Sequence, residues 1–129
     1  GDASYSASSW EDALRNPAVL IYISEDLKGK KQQNGLTGFV YALYADNTLE
    51  IVKVGVEPAS RRKHIGTQLI RHACKESNAQ KCLVDVSEKN KAALEFYYTL
   101  GFTFLMRRKK YYADGSDAEV LEHTCKVIK

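Results

Sequence analysis

A run of four cations stands directly ahead of an apolar helical pattern, in the stretch SRRKHIGTQL at residues 60–69. The positive end of a helix dipole disfavours cations unless an anion is bound beside them. The first turn of a helix exposes unpaired backbone N–H groups, and arginine and lysine add charge-assisted contacts to phosphate. We therefore predict a phosphate or pyrophosphate site over residues 61–67, with Gly66 allowing close approach to the backbone.

A solvated basic loop ahead of an amphipathic helix is the alternative interpretation of these cations. A Walker-type phosphate loop is excluded, because the pattern G-x-x-x-x-G-K-[ST] is absent from the chain.

The segment VEPASRRKHIGTQLI resembles the acetyl-CoA signature of the GNAT N-acetyltransferase superfamily, R/Q-x-x-G-x-G/A after a strand. Arg61 matches the leading residue and Gly66 the final glycine, whereas His64 replaces the middle glycine. Further on, NKAALEFYYTLGF is similar to the family helix N-x-x-A…Y…GF, with Asn90, Tyr97 and Gly101-Phe102 in place. The resemblance runs from about residue 5 to the end, and it lacks the family's first strand and first helix.

The resemblance implies acetyl-CoA as co-substrate, with no metal. Backbone N–H groups around Val54 to Val56 would meet the acetyl carbonyl as an oxyanion hole does, because Gly55 permits a bulge or splay of the strand. The residues assigned to the coenzyme are Val54, Gly55, Val56, Arg61, Arg62, Lys63, His64, Ile65, Gly66, Thr67 and Asn90.

The segment RRKKYYADGSDAEVLEH is similar to the ending of RimI-like and San-type N-terminal acetyltransferases. In those relatives a tyrosine pair lines the slot for the first residues of a protein, which assigns Tyr111 and Tyr112, together with Tyr5, to substrate binding. An exposed hairpin that covers the core edge is the alternative. Basic residues beside aromatics also occur in single-strand binders, but alternation along a strand divides the cations between two faces, so we expect no nucleic-acid partner.

The attacking amine must be neutral, and the leaving thiolate must be stabilised. At pH 7, neutralising an α-amine costs about 1 kcal/mol and neutralising a lysine about 4.6 kcal/mol, from pKa values of about 7.7–8.0 and 10.4. Glu50 falls where histone-acetylating relatives carry their glutamate base, and Asp85 falls where RimI-like enzymes place a glutamate. Each is a candidate base, directly or through water; a strand-end carboxylate in water or in an ion pair is the alternative.

Tyr97 matches the family tyrosine that approaches the coenzyme sulfur, which implies a proton donor to the thiolate. Its alternative is a core aromatic, because Ala93, Tyr97 and Leu100 share one helix face. His72, His123 and the three cysteines show no metal-ligand spacing, so we predict no metal site.

The elements that must position these residues follow from periodicity and turn residues. We predict a helix at residues 8–14, strands at 18–25, 36–44 and 49–56, the helix after the cations, a strand at 81–87 and a helix capped by Asn90 and Gly101. Two strands, 102–112 and 118–128, close the chain. This order predicts an α/β (α+β) fold of the GNAT type, with a mixed, mostly antiparallel sheet and helices on both faces.

Composition sets wider bounds. The 129 residues suit one domain over residues 1–129, and the net charge of +3 does not demand a polyanionic partner. Three cysteines without C-x-x-C spacing favour a reducing compartment, and without a signal peptide or an apolar run of membrane length we expect a cytoplasmic protein that does not enter membranes.

The function expected from the resemblance is acetyl transfer from acetyl-CoA to protein N-termini. The partners that it implies are the N-terminal segment of a protein or peptide and an auxiliary or ribosome-associated subunit. A GNAT that acetylates lysine or a small amine such as a polyamine is one alternative. A non-catalytic acyl-CoA-binding scaffold is the alternative from another class.

Overall fold

The computed structural model describes residues 18–25, 35–61 and 64–127. The helix predicted at residues 8–14 therefore lies outside the described residues. Within the described ranges the chain forms, in order, β1 Ala18–Glu25, β2 Leu36–Ala45, β3 Thr48–Val56, a 3-10 turn Pro58–Ser60, α1 Ile65–Ser77, β4 Lys81–Ser87, α2 Lys91–Leu100, β5 Thr103–Arg108, β6 Ala118–Thr124 and a 3-10 turn Cys125–Val127.

The strands of this part of the chain form one sheet in the order β1-β2-β3-β4-β6-β5. The pair β3–β4 is parallel, with α1 as its crossover, and every other neighbouring pair is antiparallel. The prediction of an α/β fold with a mixed, mostly antiparallel sheet is confirmed.

Local sequence signals place α2 where they predict it. The side chain of Asn90 accepts a hydrogen bond from the backbone N–H of Ala93 at 3.1 Å, which caps the helix start. Gly101 ends the helix with a φ of 107°, in the left-handed region that favours glycine. β4 likewise spans the predicted residues 81–87.

The two closing strands are shorter than predicted. β5 ends at Arg108 rather than residue 112, because Lys110 has a φ of 51° and donates its N–H to the carboxylate of Asp117 at 2.9 Å. β6 ends at Thr124, because the N–H of Cys125 turns to the carbonyl of Gln80 at 2.9 Å.

Both described helices pack against the same face of the sheet. Directly opposed residues of neighbouring strands point to one side, and the register aligns Ala42, Ile51, Val84 and Leu121 in one row, each at most 4% exposed. Apolar side chains of both helices join this row in a single core: Leu69, Ile70, Ala73, Leu94, Tyr97 and Leu100. We call this side of the sheet the helix-covered face.

The opposite face is covered by neither described helix. On β1 it presents Val19, Ile21 and Ile23, which are 53–63% exposed. Nearer the centre of the sheet it carries Glu50 and Asp85, one residue out of phase with the buried positions of their strands. The two faces of one sheet therefore differ in chemistry, and the carboxylates lie on the side away from α1 and α2.

β3 and β4 separate halfway along their length. They pair only from residues 48–51 to residues 81–84, and beyond Ile51 the strand β3 pairs with β2 alone. Val52 is an extra residue, because Tyr41 opposes Lys53 while Ala42 opposes Ile51. The predicted bulge thus exists but lies three residues before Gly55. It bends β3 away from β4 and opens a gap at the carboxyl ends of two parallel strands, where α/β sheets bind ligands.

Candidate active site

The predicted anion site forms where β3 runs into α1. The α-helix begins at Ile65, directly after the basic residues as predicted, and His64 at its N-cap has φ 60° and ψ 24°. The described basic residues Arg61 and His64 thus precede the first helical turn. That turn holds no acidic residue, and no side chain of the described residues caps it, so its backbone N–H groups are available to an anion. Arg62 and Lys63 lie outside the described residues.

A groove of about 820 Å³ lies at this helix start. Its walls are residues 53–56 of β3, residues 60–61 and 64–67 around the start of α1, and one side of α2 from Ala92 to Leu100. We call it the β3–α1 groove. Among the described lining residues are two cations, Lys53 and Arg61, and one acid, Glu95. It is long enough and sufficiently mixed in polarity for a ligand with both a charged and an apolar part.

Polar contacts hold the rim of the groove in place. Ser60 is 4% exposed and donates its hydroxyl to Glu57 at 2.9 Å. Arg61 donates from Nε to the carbonyl of Val56 at 3.3 Å, which ties the loop to the end of β3. Toward the described part of the chain Arg61 uses only Nε, which leaves its terminal nitrogens available there for a phosphate.

The glycines of this region serve different purposes. A Cβ on Gly55 would lie 2.3 Å from the ring of Phe39, so Gly55 is needed for packing against β2 and not for the bulge. A Cβ on Gly38 would lie 2.9 Å from the carbonyl of Gly55 and 3.1 Å from Ile65, which makes Gly38 the point where α1 approaches the sheet. At Gly66 the nearest atom would be Phe96 at 3.4 Å, an ordinary contact.

Tyr97 lines the groove from α2 and is 7% exposed. Its ring packs edge-on against Phe96 and Phe102, with centroids 5.0 and 5.2 Å away. Its hydroxyl makes no hydrogen bond among the described residues, where no fully buried side-chain polar atom is left without a partner, so the oxygen keeps some exposure to solvent. Burial, with a smaller contribution from Cys82, raises the pKa of the phenol well above 10.

The two candidate bases lie together on the opposite face. Asp85 forms an ion pair with Arg108, Oδ1 to Nε 3.7 Å, and the guanidinium of Arg108 lies 5.8 Å from the ring centroid of Tyr111. Burial and the nearby charge of Asp85 raise the pKa of Glu50, against a smaller lowering by Arg108. The charge of Asp85 also raises the pKa of Tyr111. We call Glu50, Asp85, Arg108 and Tyr111 the carboxylate cluster.

The loop that carries the tyrosine pair is held by its own hydrogen bonds. Tyr111 and Tyr112 pack edge-on with centroids 5.0 Å apart. Asp114 accepts from the N–H and hydroxyl of Ser116 at 2.9 and 2.6 Å, which lowers the pKa of that carboxyl to about 2. Asp117 donates its N–H to Glu88 at 2.8 Å, which ties the loop to the end of β4. The tyrosines therefore extend from an ordered loop, beside the carboxylates.

The structure brings the predicted residues into two groups. Val54 to Val56, Arg61, the residues from His64 to Thr67 and Tyr97 line the β3–α1 groove, while Glu50, Asp85 and Tyr111 form the carboxylate cluster with Tyr112 alongside. Asn90 lies outside the described groove lining, and its side-chain oxygen is used in capping α2. Tyr5 lies outside the described residues. The predicted coenzyme and base positions are thus separated by the sheet, except where β3 and β4 part.

Sequence reasoning missed three residues that the structure makes prominent. Phe96 forms a wall of the groove opposite Gly66, Arg108 pairs with Asp85, and Gly38 admits α1. Alternation along β5 could have placed Arg108 on one face, but not beside Asp85, because that contact depends on the sheet order. In the part of the chain that the structure describes, no group of His, Cys, Asp or Glu side chains is arranged to hold a metal ion, and no helix is long and apolar enough to cross a membrane.

Comparison with known proteins gives matches over most of the chain. The family model described as acetyltransferase (GNAT) family matches residues 2–102. The N-alpha-acetyltransferase daf-31 of Caenorhabditis elegans is 32% identical over 124 residues, covering 88% of this chain and 62% of that protein. N-alpha-acetyltransferase 30 of Xenopus laevis is 35% identical over 71 residues, covering 53% of this chain and 26% of that protein.

Solved structures share the fold at lower identity. NAA60 of Arabidopsis thaliana, in complex with a bisubstrate analogue, has a TM-score of 0.72 at 17% identity, covering 92% of this chain and 82% of that one. A mutant of spermidine N-acetyltransferase SpeG from Vibrio cholerae has a TM-score of 0.70 at 17% identity, covering 95% and 75%. The chain thus spans 26% and 62% of the two curated relatives that it matches.

Proposed function

Because the chain belongs to the acetyltransferase (GNAT) family, we propose that it transfers an acetyl group from acetyl-CoA to the α-amino group of protein N-termini. Residues 1–129 would act as one acetyltransferase domain. The observation that carries the proposal is that two sets of polar residues lie on either side of the gap between β3 and β4. The β3–α1 groove lies on the helix-covered face, the carboxylate cluster lies on the opposite face, and β3 and β4 part between them.

The charge and the lining of the groove support acetyl-CoA as its ligand. Its pyrophosphate would lie against the uncapped N–H groups of α1, with Arg61 beside it. The pantetheine arm would follow β3 towards Val54, where the separation from β4 leaves the strand edge unpaired by that neighbour. Backbone N–H groups on that edge would donate to the acetyl carbonyl as charge develops there. The resemblance to family motifs and the lining of the groove support the same placement.

Tyr97 would act on the leaving thiolate by hydrogen bonding. A thiol has a pKa of about 8.5, and burial raises the pKa of Tyr97 above the ordinary value for a phenol. Complete transfer of its proton to the thiolate is therefore uphill, whereas donation of a hydrogen bond stabilises the negative charge in a buried site. When the amide forms, the amine loses a proton, and this proton balances the negative charge of the leaving thiolate.

Glu50 is the better candidate for the base. Its raised pKa makes its carboxylate a stronger proton acceptor, since basicity rises with the pKa of the conjugate acid. The carboxylate of Asp85 is paired with Arg108. Asp85 then has a positioning role, because its charge is one cause of the raised pKa of Glu50.

The α-amine is favoured as acceptor for two reasons. Neutralising it at pH 7 costs about 1 kcal/mol, against about 4.6 kcal/mol for lysine, and a partly exposed carboxylate is a modest base. The ordered tyrosine pair beside the carboxylates offers aromatic surface for the first side chains of a peptide. The curated relatives named above also carry N-alpha-acetyltransferase in their names.

A polyamine is the second candidate acceptor. Glu50 and Asp85 place two acids against one described cation, Arg108, in the carboxylate cluster, and such a site also attracts a polycation. The fold is shared with a spermidine N-acetyltransferase.

For the N-terminal acceptor, the reaction would take place in the cytoplasm, and an auxiliary or ribosome-associated subunit would present the nascent chain.

Acetyl transfer from acetyl-CoA to a library of peptides with free N-termini tests the proposal. Peptides with blocked N-termini and internal lysine, and spermidine, serve as controls in the same assay. The proposal expects turnover that depends on the free N-terminus and on the first two residues. Faster turnover of spermidine or lysine peptides would contradict the N-terminal acceptor. Binding of acetyl-CoA without turnover of any amine would indicate a scaffold.

A further inference from the structure

Three buried thiols meet at the end of α1 farthest from the β3–α1 groove. Cys74 belongs to α1, Cys82 to β4, and Cys125 follows β6. Their exposed fractions are 4%, 0% and 9%, and all three are free. The sulfurs of Cys125 and Cys74 lie 2.8 Å apart, within about 0.8 Å of the length of a disulfide bond. The proposed acetyl transfer uses none of them.

Two of these thiols are open to small molecules through a second cavity. A pocket of about 740 Å³ is lined by both Cys74 and Cys125, whereas Cys82 is absent from its described lining. The charged side chains in that lining are Arg71, Lys75 and Lys126, and no acid accompanies them there.

The three thiols differ in acidity. Hydrogen bonding with Cys74 and Cys82 lowers the pKa of Cys125 against the effect of burial, and His123 acts in the same direction as the hydrogen bonds. The hydrogen bond with Cys125 and burial raise the pKa of Cys74. Cys125, the more exposed of the two at 9% against 4%, is the thiol placed to react first with a small molecule in the pocket, and Cys74, whose sulfur lies 2.8 Å away, is positioned as the resolving thiol.

We propose that Cys74 and Cys125 form an oxidation site, at which a peroxide converts the pair to an intrachain disulfide. The thiolate of Cys125 attacks one peroxide oxygen, the O–O bond breaks, and a sulfenic acid forms as hydroxide leaves. The thiol of Cys74 then attacks the sulfenic sulfur. The S–S bond forms, and the sulfenic hydroxyl leaves as water with the proton of the Cys74 thiol. The hydroxide from the first step takes up the proton that Cys125 lost and becomes the second water. Two thiols are oxidised, and one peroxide is reduced to two waters.

The bond would join α1 to the segment after β6, across a sequence separation of 51 residues. A cross-link of this span restricts the unfolded chain more than the folded one, because the sulfurs are already adjacent in the fold. We therefore expect the oxidised protein to melt several degrees higher than the reduced protein.

Peroxide titration of the reduced full chain tests this site without any acetyl-transfer assay. After treatment with hydrogen peroxide, unfolding in denaturant and alkylation, the intact mass should show one alkylated thiol of the three, and peptide mapping should show Cys74 joined to Cys125. The matched control is Cys82→Ala, which should form the same bond. In Cys74→Ser the reaction should stop at Cys125, where dimedone traps the sulfenic acid.

The proposal is overturned by either of two results with the wild-type chain. One is three thiols that all remain alkylatable at a peroxide dose that fully oxidises free glutathione. The other is a bond that includes Cys82 or joins two chains. Both measurements use the unmodified sequence, so a variant that fails to fold leaves the outcome decidable.

Discussion

The β3–α1 groove and the carboxylate cluster lie on opposite faces of one sheet and are built differently. The groove is shaped by backbone: an uncapped helix start, a bulged strand and glycines at close contacts. The cluster is shaped by side chains from β3, β4 and β5 and the loop after it, joined by charge. Backbone geometry suits a ligand that is common to a whole family, whereas side-chain contacts can change with the acceptor. The comparison predicts that groove variants alter binding and thiolate stabilisation, and that cluster variants alter pH dependence.

The largest expected effect concerns the hydroxyl of Tyr97, a residue that lines the groove. Tyr97→Phe keeps the ring contacts with Phe96 and Phe102 and removes the hydrogen bond to the thiolate, so turnover should fall roughly 10²–10³-fold, as for loss of one oxyanion-type donor. The dissociation constant of acetyl-CoA should change little, because the bond matters chiefly in the transition state. Steady-state kinetics and calorimetry measure the two quantities.

The control for Tyr97→Phe is the neighbouring tyrosine on the same helix. Tyr98 is 42% exposed and donates to Glu119 at 2.8 Å, outside the groove. Tyr98→Phe should therefore stay close to the wild-type rate. A Tyr97→Phe enzyme that keeps more than about half of its turnover would reduce Tyr97 to a core aromatic.

The next effect concerns coenzyme binding at the helix start. Gly66→Glu introduces a carboxylate beside the proposed pyrophosphate, and juxtaposed like charges cost several kcal/mol. The affinity for acetyl-CoA should fall roughly 100-fold or more, measured by calorimetry on a variant whose circular dichroism is unchanged. Gly66→Ala is the matched control, because its Cβ meets Phe96 at an ordinary 3.4 Å; near-wild-type affinity of the glutamate variant would remove the pyrophosphate from this position.

A smaller effect separates the two carboxylates. The charge of Asp85 is a cause of the raised pKa of Glu50 and the charge of Arg108 opposes it. Asp85→Asn should therefore lower the pKa of Glu50, and Arg108→Gln should raise it. If Glu50 is the base, the acid limb of the rate profile should move to lower pH in the first variant and to higher pH in the second.

Glu50→Gln provides the reference for these shifts. Without the carboxylate the loss of rate should be greatest at low pH, where the amine is protonated, and smaller near pH 9. Carbon-13 titration of the Glu50 carboxyl measures the same shifts without turnover. Unchanged titration in both neighbour variants would show that the three groups do not act as one cluster.

The smallest effect tests the departure from the family glycine. His64 has a φ of 60°, and a left-handed conformation costs a residue other than glycine about 1–2 kcal/mol. Glycine relieves this strain, but its greater conformational entropy in the unfolded chain offsets part of the gain. The free energy of unfolding should therefore rise by less than about 1 kcal/mol in His64→Gly, and the variant should keep coenzyme binding. Asn78→Gly, at the other end of α1 with a φ of 56°, is the stability control; a destabilised His64→Gly would show that the imidazole is needed.

The sequence signals that predicted the fold correctly were local ones. Asn90 and Gly101 fixed α2 because a cap and a left-handed residue act within one turn of the chain. The start of α1 at Ile65, directly after the four basic residues, agrees with the prediction, but nothing in the sequence shows that His64 accepts a positive φ. We predicted the bulge at Gly55 because glycine often marks one. In the structure, the glycine is needed there because the ring of Phe39 from the neighbouring strand leaves no room for a Cβ.

The carboxylate cluster could be anticipated only in part. The positions of Glu50 and Asp85 followed from alternation along β3 and β4 and from the family resemblance. Their shared charge environment depends on Arg108, which lies 23 positions after Asp85 in the numbering and comes beside it because β6 enters between β4 and β5. Such a contact follows from strand order, which periodicity alone does not determine.

The short parallel ladder between β3 and β4 also bears on how the protein opens. Among the described strands, it is the sheet's one connection between the β1-β2-β3 meander and the β4-β6-β5 unit, and it spans four residue pairs. Each of these units has long antiparallel ladders of its own. Amide hydrogen exchange should therefore detect two cooperative units. The protons of residues 48–51 and 81–84 would then report the event that parts them.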